Sequence, residues 1–87
     1  MERVISEPVV VEWGVPGTPT AFRWRQRQYR IAEVLSDVRE PDYRRNWRLR
    51  RHRRRLVVHT DEGRWFELYV QRPGQWILYR EMNNPLA

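Results

Sequence analysis

The sequence predicts an all-β fold, a small antiparallel meander of about six strands, and three observations predict it. First, residues 56–60, 65–71 and 76–80 are β-branched and aromatic runs, separated by Asp61-Glu62-Gly63 and Arg72-Pro73-Gly74-Gln75, both rich in turn chemistry. Second, Phe22 and Trp24 alternate with polar residues, and Tyr29 and Ile31 resume the same parity. Third, 87 residues with 40% apolar and 13% aromatic side chains suit one domain (residues 1–87) with a real core, too short for two.

Each element has its own justification. Residues 1–8 are short and polar and close at Pro8, so the first strand is expected over residues 9–13, where Val9, Val10, Val11 and Trp13 supply β-branched and aromatic bulk. Residues 14–19, Gly-Val-Pro-Gly-Thr-Pro, suit no regular element and read as an irregular loop. A two-residue turn at Gln26-Arg27 pairs Arg25 with Gln28. Trp24 then faces Tyr29 and Phe22 faces Ile31, the cross-strand matching that stabilises a hairpin. That turn lacks the Gly, Asn or Asp favoured by the positive φ angles of a type I′ turn. Beyond it two periods compete, because Ile31, Val34, Leu35 and Val38 also fall at helical spacing. The reading favoured is a strand to about Ser36 with a bulge near Val34. Residues 40–52 show no alternation and include Pro41; a loop this long is usually functional or disordered.

The C-terminal meander is the best specified part. A type I turn closing with Gly63 in the left-handed bulge position pairs Thr60 with Arg64, Val58 with Phe66 and Leu56 with Leu68. Pro73 and Gly74 occupy the central positions of a type II turn, which pairs Arg72 with Gln75, Val70 with Ile77, Leu68 with Tyr79 and Glu67 with Arg80. The two turns together put Leu56, Val58, Phe66, Leu68, Val70, Ile77 and Tyr79 on one face as the expected core. Six short strands in so small a chain curl into a partly open barrel of SH3-like or OB-like kind.

Charge is distributed unevenly. All 17 cations are arginine, against 11 acids, for a net charge of +6. Codon usage in a GC-rich genome produces such a bias as readily as function does, but the consequence is the same: arginine stacks on aromatic rings and binds phosphate bidentately. Arg44, Arg45, Arg48, Arg50, Arg51, Arg53, Arg54 and Arg55 place eight cations and no acid in twelve residues, so the remaining nine arginines are outnumbered by the acids. Trp47 is interleaved in this run, which leads straight into the strand that carries His59.

The face of the meander opposite the expected core carries Arg55, Val57, His59, Trp65, Glu67, Tyr69, Gln71, Trp76, Leu78 and Arg80. Two tryptophans, a tyrosine and arginines on an outward sheet are suited to stacking nucleobases while cations hold the backbone. The plainer reading is a second mini-core knitted by cation–π contacts. The plainer reading of the arginine run is a solvated loop or a dock for an acidic protein surface.

Several classes are set aside. No cysteine is present, which excludes a disulfide scaffold, a thiolate–zinc site and a cysteine nucleophile. No apolar run approaches a membrane span or a signal-peptide core, so a cytoplasmic location without membrane attachment is expected. His52 and His59 lack metal-ligand spacing, Ser6 and Ser36 have no nearby base, and no glycine pattern cradles phosphate. The expectation is no catalytic residue, metal or cofactor.

The chain also resembles a known group. Ser6-Glu7-Pro8 with Val9-Val10-Val11, Phe22-Arg23-Trp24-Arg25 with Tyr29-Arg30-Ile31 and Glu33-Val34-Leu35, Phe66-Glu67-Leu68-Tyr69, and Gly74-Gln75-Trp76 with Leu78-Tyr79-Arg80 occur in that order. In these pieces it resembles a small uncharacterised bacterial all-β domain, found alone or related to the C-terminal segment of Y-family DNA polymerase-like proteins of mutagenic repair. That group commonly has Gly where this chain has Gln26, and an aromatic-Asp pair where it has Met82-Asn83. The resemblance implies an all-β fold and a DNA-repair setting, and transfers no catalytic residue.

The expected function is therefore a non-enzymatic basic module for single-stranded or distorted nucleic acid, or an assistant to a polymerase-like protein that binds it. Its expected contacts are Arg44, Arg45, Trp47, Arg48, Arg50, Arg51, Arg53, Arg54, Arg55, Trp65, Tyr69, Trp76 and Arg80. The alternative is a protein–protein adaptor anchored by Trp65, Tyr69 and Trp76, residue types that dominate interface hot spots.

Overall fold

The structure is a computed structural model that describes residues 3–15, 17–39 and 54–85. Six strands follow one another: β1 (Arg3–Trp13), β2 (Pro19–Trp24), β3 (Arg27–Arg39), β4 (Arg54–Thr60), β5 (Trp65–Arg72) and β6 (Gln75–Met82). Each pairs antiparallel with the next and β1 pairs with β6, so the barrel is closed, one pairing further than the partly open barrel expected. Closure depends on two long strands that change partner. β1 pairs with β6 as far as Val9 and with β2 from Val10; β3 pairs with β2 as far as Arg30 and with β4 from Ile31.

Inward positions of all six strands meet in one core. Phe22, Leu56, Val58, Phe66, Leu68 and Leu78 are fully buried, with Val9, Trp24, Tyr29 and Trp76 close behind. Its centre is aromatic: Phe22 stacks on Tyr29 at 5.2 Å, and the edge-to-face contact of Phe22 with Phe66 is 5.5 Å. Such pairs contribute about 0.5–1.5 kcal/mol beyond the area they bury. One rim is sealed by Arg64, whose guanidinium lies 5.0 Å from the Phe66 ring centre and donates two 2.9 Å bonds to Glu81. Those bonds hold the Glu81 carboxyl below its ordinary range and raise the Arg64 guanidinium above its own.

The first strand corrects the expected boundary. It starts at Arg3 and passes through Pro8, because the part of β1 before Val10 has β6 on one side and, among the described residues, no strand on the other. A proline, which cannot donate to a ladder, is tolerated on such an edge. A bulge between Val4 and Glu7, with Ser6 at φ 55°, further unfits that edge for pairing.

The β2–β3 turn falls one residue earlier than expected. Trp24 pairs with Arg27 and Phe22 with Tyr29, leaving Arg25 and Gln26 as the two turn residues at φ 53° and 65°. These angles are those of a type I′ turn, made here without glycine or asparagine. The shift moves the register by two, so Phe22, Trp24 and Tyr29 still face inward. What holds the turn lies outside it. Glu7 Oε1 accepts from Trp24 Nε1 at 2.7 Å and from Arg25 Nε at 2.9 Å, while Oε2 accepts from Arg25 Nη2 at 2.6 Å. The Arg25 guanidinium also covers the Trp24 ring at 4.8 Å. Hydrogen bonds from Arg25 first, and then Trp24, pull the Glu7 carboxyl down to about 2.

β3 is a strand throughout, and extends to Arg39 with two bulges, between Ile31 and Glu33 and between Val34 and Ser36, flanking the expected position. In the loop before β2, Gly14 leaves room for Thr20: a Cβ there would lie 2.7 Å from Thr20 Cγ2, so that side chain would have to shift.

The β4–β5 connection is as expected. Thr60 N donates to Arg64 O at 2.8 Å, Gly63 adopts φ 84°, and Val58 pairs with Phe66 and Leu56 with Leu68. The β5–β6 turn is also as expected at its tip, with Arg72 opposite Gln75 and Gly74 at φ 80°. Two bulges of opposite sense then intervene. Gln71 is extra on β5, so Val70 pairs with Trp76, Tyr69 with Ile77 and Leu68 with Leu78. Tyr79 is extra on β6, which restores the expected Glu67–Arg80 pair. The stretch between the bulges is turned over relative to the sequence reading. Trp76 and Leu78 point into the core, at 7% and 0% exposure, whereas Ile77 and Tyr79, expected inside, lie on the outer surface.

Candidate nucleic-acid interface

The register builds the outer surface of β3, β4, β5, β6 and the first half of β1 row by row. One row runs Val38, Arg55, Tyr69, Ile77, Pro8. The next runs Ser36, Val57, Glu67, Arg80, Val4, and a third runs Glu33, His59, Trp65, Met82. Because the second bulge places both Tyr79 and Arg80 on this side, the middle of the face holds two tyrosines and two arginines around one carboxylate.

That group encloses a depression of about 340 Å³ lined by Arg55, Glu67, Tyr69, Tyr79 and Arg80. Its size is at the lower end of ligand-binding clefts. Glu67 is the floor, almost fully buried; its Oε1 accepts from Arg80 Nε at 2.8 Å and its Oε2 faces Arg55 Nη1 at 4.0 Å. The tyrosine rings meet edge to face at 6.1 Å, and the Arg80 guanidinium is 5.9 Å from the Tyr79 ring centre. Two guanidiniums around one carboxylate leave the depression with a net positive charge. Arg55 is half exposed at its side chain, open to solvent and to an anion.

The expected contact residues separate into five groups. Arg55, Tyr69 and Arg80 come together in the depression. Trp65 is on the same face but is engaged: its ring stacks on His59 at 4.3 Å and 6°, and its Nε1, like Nε2 of His59, is buried without a hydrogen-bond partner. Trp76 is a correction. It is a core residue packed against Trp13 at 5.6 Å, and offers no ring face to a ligand from the outer surface. Arg44, Arg45, Trp47, Arg48, Arg50, Arg51 and Arg53 lie outside the described residues.

Arg54, the last of the group, is built into the wall. It donates to Asp37 Oδ1 at 3.0 Å and Oδ2 at 2.8 Å and to the Gly17 carbonyl at 2.9 Å, and lies 5.1 Å from the Trp13 ring centre. The Asp37 carboxyl is lowered first by that hydrogen bond. Arg54 thus ties the start of β4 to the end of β3 and to the loop before β2. Tyr79, which the sequence reading put in the core, and Glu67, which it put on the outer face without a binding role, are the added members of the site.

No group of three or more potential metal ligands occurs among the described residues, and no helix among them is long and apolar enough to cross a membrane. Fold and surface together define a small closed antiparallel barrel whose outer sheet carries an arginine–tyrosine depression. The chain belongs to a family described as a domain of unknown function (DUF6504), whose model matches residues 1–83. No curated protein and no solved structure matches it.

Proposed function

We propose that this chain is a non-enzymatic, cytoplasmic binding module for single-stranded or distorted nucleic acid. One observation carries the reading: Arg55, Tyr69, Tyr79 and Arg80 converge on one outer depression, on a face whose strand β4 continues directly from the arginine-rich stretch of residues 44–53. Bases stack on tyrosine irrespective of sequence, and arginines beside them neutralise the backbone. The resemblance to C-terminal segments of polymerase-like repair proteins supports a DNA-repair setting, with such a polymerase-like protein as a partner.

The test is a fluorescence-anisotropy titration with a short labelled single strand at two salt concentrations. With about four phosphates neutralised, the slope of log K against log salt is about −2.8, so affinity falls roughly fifty-fold between about 50 and 200 mM salt. Replacing Arg50, Arg51 and Arg53 with glutamine flattens the slope, while Tyr79→Ala weakens binding at unchanged slope, since stacking releases few counterions. A second reading, the protein–protein adaptor, is favoured by a separate groove of about 410 Å³, lined by Pro8, Val10, Trp76 and Ile77 among others. Absence of oligonucleotide binding at low salt would transfer the assignment to that adaptor.

A further inference from the structure

The nucleic-acid reading explains the arginines and tyrosines of the depression but not its floor. A module that attracts phosphate gains nothing from a carboxylate at the centre of its contact surface. Glu67 nevertheless sits there, one of two buried polar side chains among the described residues, the other being Thr60 at the end of β4. The chain, moreover, bends around it. The bulge at Tyr79 is what puts two consecutive residues of β6 on the same side, Tyr79 as a wall and Arg80 as the partner of Glu67. Bulges recur where a strand re-aims a side chain at a site.

Resting on that reading, we propose that the depression is a subsite for a single nucleobase and that Glu67 selects bases presenting an amino group. A carboxylate held between two guanidiniums accepts hydrogen bonds and donates none. A base lying against the tyrosines must therefore offer it a donor. Cytosine N4, adenine N6 and the N1 and N2 positions of guanine do so. Thymine and uracil present one N–H between two carbonyl oxygens, which the carboxylate repels. Tyr79 at 38% exposure provides the stacking surface, the edge-to-face contact with Tyr69 fixes its tilt, and Arg55 is placed for the neighbouring phosphate.

The experiment compares oligo(dC) with oligo(dT) of equal length, two pyrimidine strands with the same charge, at fixed salt. One hydrogen bond to the carboxylate corresponds to roughly a ten-fold preference for oligo(dC). Glu67→Gln places both a donor and an acceptor on the floor and removes a negative charge, so the preference falls towards unity and oligo(dT) binds more tightly than to the wild type. Arg55→Gln, beside the floor but not reading the base, weakens both strands by the same factor. Equal affinity of the wild type for the two strands overturns the base subsite and leaves the nucleic-acid reading intact. Failure of the wild type to bind either strand overturns both. Should Glu67→Gln fail to fold, the wild-type ratio, repeated with Tyr79→Ala, decides: loss of the ratio in that variant supports the subsite, and its retention overturns it.

Discussion

Leu78→Ala and Ile77→Ala distinguish the two parities available to β6. Uninterrupted pairing from the Pro73-Gly74 turn buries Ile77 and exposes Leu78; the bulges at Gln71 and Tyr79 do the reverse. Leu78 is completely buried and belongs to the central cluster, so truncating it removes packed atoms and leaves a cavity, at a cost of about 2–5 kcal/mol. A chain of this length has roughly 4–13 kcal/mol of stability in all, from about 0.05–0.15 kcal/mol per residue. The loss is therefore large on any estimate, and at about 4–8 °C per kcal/mol it lowers Tm by at least about 8 °C. Ile77 lies on the outer face between Tyr69 and Pro8, where truncation costs about 1 kcal/mol or less. Urea unfolding followed by tryptophan fluorescence measures both, with unchanged m-values as the sign that the folded and unfolded states are otherwise alike. An Ile77→Ala cost equal to or above that of Leu78→Ala would refute the double bulge, and with it the placement of Tyr79 beside Glu67.

Three other perturbations probe the supports of the barrel. Because the Glu7 carboxyl titrates near 2 in the folded chain, below its ordinary 4.5, its contribution is complete above about pH 4.5 and is lost as pH falls through about 2. Glu7→Gln removes that part of the acid dependence, read as the urea midpoint against pH; an unchanged profile would contradict the bridge. Gln26→Gly relieves a left-handed non-glycine residue and raises stability by about 0.5–1 kcal/mol, the relief exceeding the entropy glycine adds to the unfolded chain; a destabilised variant would contradict the type I′ turn. Arg54→Gln costs about 1–3 kcal/mol, from charge-assisted bonds lost at a largely buried guanidinium, whereas Arg55→Gln costs under about 1 kcal/mol. Equal losses at the two positions would show that Arg54 is not part of the wall.

What the sequence reveals of this fold depends on where the determinants lie. The β4–β5 register is legible because Asp61-Glu62-Gly63 carries its own turn chemistry, and Val58, Phe66, Leu56 and Leu68 then follow by alternation. The β2–β3 turn is misplaced by one residue because its left-handed pair, Arg25-Gln26, is held by Glu7, 18 residues before Arg25, a contact no local pattern signals. Through β6 the alternation is mute: Trp76, Ile77, Leu78 and Tyr79 are all apolar or aromatic, so either parity presents a plausible core. Neither Gln71 nor Tyr79 has a residue type that marks a bulge. That ambiguity is why Trp76 is taken for a surface anchor and Tyr79 for a core residue, while Arg55 and Tyr69 are placed correctly by the β4–β5 register, and the Glu67–Arg80 pair is met because the two bulges cancel.

The central claim is that the outer face of β4, β5 and β6 receives a single nucleic-acid strand. Its most direct measurement is the change in backbone and tyrosine-ring NMR resonances as a short unlabelled single strand is titrated into the isotope-labelled chain at low salt. Saturable shifts are expected at Arg55, Glu67, Tyr69, Tyr79 and Arg80, with Trp24, Arg25 and Glu7 on the other wall unmoved. Shifts confined to the Glu7–Arg25 side or to the Pro8–Val10–Ile77 groove, or none at all, would contradict it.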